Sequence, residues 1–261
     1  MGFWQHLAES YDKNADALQK DYPLSTTSIS NNSDIIVIIV IDGNGDFIRC
    51  DKIDKKSNST RKNSGNPLVN VKIPVTEESL GRSSGVSPHP VFDQYGYLKG
   101  EGKKYDDYIE KLKRFAESGF ATEQVRAIYK YVAKRTVASD MSEMQLEDKT
   151  NIVFQVEILG SPRTKTWEEI AFFDAWHQYY VAEKLKLVER KKWAEEKLAS
   201  EKKLPANEKK KLKEETKLNN RVSLDYITGE QQLIATSHPK KISNASGNSK
   251  LVSDNDKSNY T

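Results

Sequence analysis

The apolar positions of the chain change period several times, and each change predicts an element. Trp4, Leu7, Tyr11, Ala15 and Leu18 recur at helical spacing with acids and lysines between them, the pattern of an amphipathic helix that packs on a core. Ser25 to Ser33 is polar apart from Ile29 and reads as a linker. The next run, Ile35 to Ile41, is continuous and rich in β-branched side chains, which predicts a buried strand. Asp42-Gly-Asn-Gly45 supplies a turn, and Phe47, Ile48 and Cys50 continue as the second arm of a β-hairpin. Val69 to Val75 alternates apolar and polar, with Pro74 restricting that end to a sheet edge or strand exit.

From Lys103 the period is helical. Tyr105, Tyr108, Ile109, Leu112 and Phe115 form one stripe, with Gly119 as its stop. Val125, Ile128, Tyr129 and Val132 form a second, opened by Thr122 as N-cap. Asn151 to Glu157 returns to strand alternation. Thr166-Trp-Glu-Glu169 has the spacing of a capping box and predicts a long helix through Phe172, Phe173, Trp176, Tyr179 and Tyr180. Beyond Glu183 the composition turns to Lys, Arg and Glu, broken at Pro205, which predicts an exposed helical hairpin. Val222 to Thr228 is β-like again. The succession predicts an α+β fold: an amino-terminal helix and β-hairpin sheet, a helical middle, a long charged helical hairpin protruding over residues 182–221, and a β-rich carboxy-terminal stretch.

Charge narrows the choice of partners. The 41 Lys and Arg stand against 38 Asp and Glu, a net charge of +3, so affinity for a polyanion has to come from the distribution of charge rather than its total. Residues 51–66 are a polar excursion carrying Lys52, Lys55, Lys56, Arg61 and Lys62 against two aspartates. Such a segment can follow a phosphate backbone, or it can be a solvated extension of the hairpin. The single cysteine, Cys50, excludes an internal disulfide and a multi-cysteine zinc site and fits a reducing cytoplasm. The run from Ile35 to Ile41 is too short to cross a bilayer, so no membrane partner is expected.

Catalytic chemistry finds few candidates. His6, His89, His177 and His238 lie far apart with no metal-ligand spacing between them. Asp42-x-Asn44-x-Asp46 resembles the opening of a calcium loop, but Phe47 stands where a glycine is needed and Ile53 where a glutamate is. No phosphate-binding loop or dinucleotide fingerprint is present. The reading is a non-catalytic protein with no cofactor and no metal. A nuclease assembled from Asp42, Asp46 and Glu157 is the enzymatic alternative.

One loop is composed for close approach. Arg82 carries charge, Ser83 and Ser84 are small donors and acceptors, and Gly85 removes a Cβ. The combination suits a nucleic acid, and it is equally the composition of a surface turn.

Four blocks in order carry a resemblance: Arg82-Ser-Ser-Gly-Val-Ser-Pro with Phe92 and Asp93, Ala175-Trp-His-Gln-Tyr-Tyr180, Leu224-Asp-Tyr-Ile-Thr-Gly-Glu230, and Ser237-His-Pro-Lys-Lys-Ile242. Together they resemble the Csd-type family, the large subunit of the type I-C CRISPR Cascade complex. Asn244 to Gly247 and Ser253 to Tyr260 resemble the family's next block, so residues 1–261 are expected to be the amino-terminal domain of a longer subunit. The resemblance implies recognition of the protospacer-adjacent motif in double-stranded target DNA and local unwinding for guide-RNA pairing. It implies Arg82, Ser83, Ser84 and Gly85 at the motif, and Lys52, Lys55, Lys56, Arg61 and Lys62 at the DNA backbone. The implied partners are target DNA, the guide-RNA ribonucleoprotein, other Cascade subunits including the one that holds the guide's 5′ handle, and, transiently, the helicase-nuclease effector. The rival reading is a structural adaptor that docks subunits through its charged hairpin without touching DNA.

Overall fold

A computed structural model describes residues 6, 9–10, 13–14, 27–30, 35–54, 71–82, 85–162, 164–200, 204–216, 221–224, 229 and 231–234. The strands are β1 (Thr27–Ser30), β2 (Ile35–Asp42), β3 (Phe47–Asp54), β4 (Val71–Pro74), β5 (Asn151–Glu157), β6 (Arg221–Leu224) and β7 (Gln231–Ile234). The helices are α1 (Glu77–Gly81), α2 (Tyr95–Leu98), α3 (Gly102–Ala116), α4 (Glu123–Ala133), α5 (Val137–Asp140), α6 (Ile170–Ser200) and α7 (Ala206–Thr216). The fold is α+β. Two compact units divide the chain: Gln19–Tyr179 with Pro239–Thr261, and Met1–Leu18 with Tyr180–His238.

The first unit is organised around β2. Its neighbours are β3, antiparallel, and β5, parallel, in the order β3-β2-β5. A strand paired in parallel on one side is covered on both faces, and every residue from Ile36 to Ile41 is buried. That explains why the run is continuous rather than alternating. Gly45 closes the β2–β3 turn at φ +81° and lies so near α4 that a Cβ there would stand 2.6 Å from the Ala127 carbonyl oxygen. Glycine is required both by the backbone and by the helix.

α3 buries Tyr105, Tyr108, Leu112 and Phe115, while Ile109 is half-buried; it ends at Ala116, ahead of Gly119. On α4 the Thr122 hydroxyl accepts the Val125 amide, as expected of an N-cap. The buried stripe there is Val125, Ile128, Tyr131 and Val132, with Tyr131 in the place expected for Tyr129. The Tyr131 ring lies against Phe47 and Phe154, and its hydroxyl donates to Asp140 at 2.9 Å. Burial, reinforced by Asp140, pushes that phenol well above its ordinary range.

Two expectations are corrected. The polar stretch from Ser25 to Ser33 is not a plain linker, because β1 lies within it and pairs antiparallel with β4. The Thr166 capping box does not form either. Thr166 is fully buried and donates its hydroxyl to the Phe154 carbonyl on β5; no side-chain cap bond forms there, and α6 begins only at Ile170 after a short 3-10 turn. The expected amino-terminal stripe, Trp4, Leu7, Tyr11, Ala15 and Leu18, lies outside the described residues.

In the second unit the later part of α6 and α7 form the charged hairpin expected from the sequence. Lys197 and Glu208 join the two helices at 2.5 Å, and Ala194 and Leu212 are buried. β6 and β7 form an antiparallel pair, with Gly229 at φ +76° between them. Among the described residues no helix is long and apolar enough to cross a membrane.

Candidate nucleic-acid interface

The loop that follows α1 is held at both legs. On the first leg, Thr76 and Ser79 make a reciprocal cap: the Ser79 amide donates to Thr76 Oγ1 at 3.1 Å and the Thr76 amide donates to Ser79 Oγ at 2.9 Å. Both residues are buried, and Ser79 Oγ is also 2.9 Å from Nδ1 of His89 across the loop. Arg82 ends the helix and turns inward. Its guanidinium donates to both carboxylate oxygens of Asp93, at 2.8 and 2.6 Å, and to the Ser87 carbonyl at 3.1 Å, while its Cζ lies 4.8 Å from the Tyr97 ring centroid.

Asp93 is the keystone of the second leg. Its side chain is wholly buried, and its two oxygens accept the paired Arg82 donors and the amides of His89 and Gln94, each of the latter at 2.7 Å. A buried carboxylate with this many donors is satisfied. Burial acts against the Arg82 charge, but hydrogen bonding to Asp93 and its negative charge outweigh it, and the guanidinium pKa is raised. Pro88, Pro90, Val91 and Phe92 are core residues; Phe92 stacks on Phe172 and the Val91 carbonyl accepts from the buried Tyr108 hydroxyl.

The expected motif-binding set therefore divides. Arg82 faces the protein rather than solvent, with 17% of its side chain exposed. Gly85 is exposed, and a Cβ there would meet nothing within 4 Å. Ser83 and Ser84 lie outside the described residues, between these two. In the sequence Asp93 stands only within the resembling block and His89 only among scattered histidines, and Ser79 is not singled out. The signal available was Thr76-x-x-Ser79, a hydroxyl version of the capping box.

Of the expected backbone-binding cations, Lys52 is exposed on the edge strand β3; Lys55, Lys56, Arg61 and Lys62 lie outside the described residues. Lys52 is opposite Val37, Val37 is opposite Ile152, and the Ile152 amide donates to the Asp93 carbonyl. Lys52 and Asp93 thus close the two ends of one row across the sheet, about 14 Å apart at the usual strand spacing.

Comparison with known families decides the relationship. The profile of the CRISPR-associated protein Csd1 matches residues 7–193. The chain belongs to the Csd1 family. No curated protein matches it. The matched span contains the whole β3-β2-β5 sheet, the Arg82–Asp93 loop and α6 as far as Trp193.

For this Csd1 family member the acids of the enzymatic alternative can be placed. Asp42, Asp46 and Glu157 share one end of the sheet, but each has a different neighbour. Asp42 Oδ1 accepts the amides of Asn44 and Asp46, both at 2.8 Å, which lowers its pKa. Asp46 pairs with Lys134, and Glu157 with Arg49 at 3.2 Å. Among the described residues no three His, Cys, Asp or Glu side chains are grouped to hold an ion. Burial pushes the Cys50 thiol up, away from nucleophilic use.

Proposed function

We propose that this CRISPR-associated chain is the non-catalytic large subunit of a type I-C Cascade, and that it reads the protospacer-adjacent motif of duplex DNA with the tip of the loop between Arg82 and Asp93. Ser83, Ser84 and Gly85 are the contacting residues. Arg82 acts behind them, fixing the loop. Lys52, with Lys55, Lys56, Arg61 and Lys62, meets the phosphates. Local opening of the duplex then lets the guide RNA pair with the target strand.

The observation that carries this reading is the clamp. A loop that approaches a groove with small polar groups loses less entropy on binding if it is already ordered, and the Asp93 cluster orders both legs while Gly85 stays exposed. Read from the minor groove, small hydroxyls accept from or donate to several base edges, so a short and degenerate motif is expected.

The test is a Ser83→Ala, Ser84→Ala double variant in a reconstituted guide-loaded complex, assayed on duplexes that differ only in the motif. Discrimination should fall by about 1–3 kcal/mol per base pair read, with assembly intact. Full discrimination in the variant would remove the loop from this role. Duplex binding that is absent at every salt concentration would favour the adaptor reading.

A further inference from the structure

Positive charge is concentrated on the helical hairpin. Residues 183–216 contain twelve Lys and Arg against eight Glu, an excess larger than the +3 of the whole chain, so the remainder is slightly acidic. Within this region Trp193 is 54% exposed, while the next residue, Ala194, is fully buried. The helix therefore has an inward face, and Trp193 is not on it. Lys186, Arg190, Trp193 and Lys197 follow one another at spacings of four, three and four residues, which aligns them in one stripe on α6 about 16 Å long. Lys197 is fixed by Glu208 at 2.5 Å, with its Nζ 5.3 Å from the Trp193 ring centroid.

A protein partner seeks an exposed tryptophan inside an apolar patch. Here the neighbours are charged, and the other half-exposed apolar side chain of α6 in this unit, Leu185, is about 12 Å away along the axis. An indole edged by cations instead matches a nucleobase on a phosphate chain. Helical geometry sets Lys186, Arg190 and Lys197 on one flank of Trp193, where Glu183 pairs with Lys186 at 2.7 Å, and the carboxylates Glu189 and Glu196 on the other. A rigid duplex, charged on both strands, would meet those carboxylates; a single strand can follow the other flank, its phosphates meeting Arg190 and exchanging with Glu183 and Glu208 for Lys186 and Lys197.

We propose that α6 carries a stacking site for single-stranded nucleic acid, with Trp193 as the platform and Lys186, Arg190 and Lys197 as its phosphate contacts. The inference rests on the nucleic-acid reading above but uses a surface of its own. It is tested on the full chain with a fluorescent oligothymidine of about 15 nucleotides, near the upper site size for such grooves, and a motif-free duplex of equal length. Trp193→Ala should weaken oligothymidine binding about tenfold or more, leave duplex binding within about twofold, and leave the melting temperature unchanged; Trp193→Phe should retain most of the affinity. Lys186→Ala with Arg190→Ala, on exposed positions, should flatten the salt dependence for the single strand by about 1–2 in slope. Parental oligothymidine binding by Trp193→Ala, or equal weakening of both probes, overturns the site. Because neither probe contains a motif, failure of the loop reading leaves this result untouched.

Discussion

Arg82 and Asp93, eleven residues apart, face each other through two parallel hydrogen bonds of 2.8 and 2.6 Å, with the carboxylate side chain wholly buried. Their pairing makes the intervening segment a closed loop rather than an excursion. Fork-to-fork geometry of this kind is specific to arginine.

Asp93→Asn keeps the volume but leaves the Arg82 cation without its counter-charge. Removing one partner of such a pair is expected to cost about 3 kcal/mol, read from urea unfolding. Arg82→Lys, which keeps the charge but not the fork, should reduce motif discrimination in the guide-loaded complex while the salt dependence of duplex binding stays parental. A change in salt slope would mean that Arg82 contacts phosphate itself.

Two glycines should respond oppositely. Gly45→Ala forces a left-handed conformation on alanine and drives a methyl into the Ala127 carbonyl, so a loss of about 2–3 kcal/mol is expected. Gly85→Ala meets open space and should change stability by less than about 0.5 kcal/mol. Equal unfolding midpoints for the two variants would contradict the placement of the β2–β3 turn against α4.

Thr166→Asp separates a tie from a cap. Aspartate is a favourable N-cap, so a capping role predicts a neutral or stabilising change. A carboxylate cannot donate to the Phe154 carbonyl and would be buried there, and the expected outcome is a loss of about 2–3 kcal/mol.

Asp42 sets a pH dependence. The amide donors, that of Asp46 foremost, lower its folded pKa, so its contribution to stability is present above the unfolded value of about 3.9 and disappears as pH falls through the folded one. Asp42→Asn should therefore flatten the stability curve below about pH 4 and leave its dependence on pH near neutrality as it was. An unchanged acid limb would show that the carboxylate has no such donors in solution.

Alanine at Lys52, Lys55, Lys56, Arg61 and Lys62 should weaken duplex binding regardless of sequence and flatten its salt dependence, because a phosphate that meets no cation keeps its condensed counterion. The measurement is the slope of affinity against salt for motif and non-motif duplexes alike.

Elements with a local hydrophobic period were legible in the sequence: β2, β3, β5, and the inward faces of α3 and, with Tyr131 in place of Tyr129, α4. What escaped was decided by pairing over distance. β1 is a Thr/Ser strand whose partner, β4, lies more than forty residues on, and nothing local marks it as extended. Thr166 matched a local cap, but the Phe154 carbonyl twelve residues earlier claimed its hydroxyl. Arg82 followed the same logic. Composition offered a cation at a loop, and only the fold brings the buried Asp93 to it, which changes the arginine from a surface contact to a support.

The parallel pairing of β2 with β5 has a consequence for biosynthesis. The sheet cannot close until β5 has been translated, roughly a hundred residues after the β2–β3 hairpin leaves the ribosome. At about 5–20 residues per second, the isoleucine-rich strand waits some 5–20 s with one edge unpaired. A long, uncharged β-branched edge is a template for aggregation during that interval. Slower translation across α3 and α4, or depletion of holdase chaperones while they are made, is therefore expected to lower soluble yield even where the finished fold is unchanged.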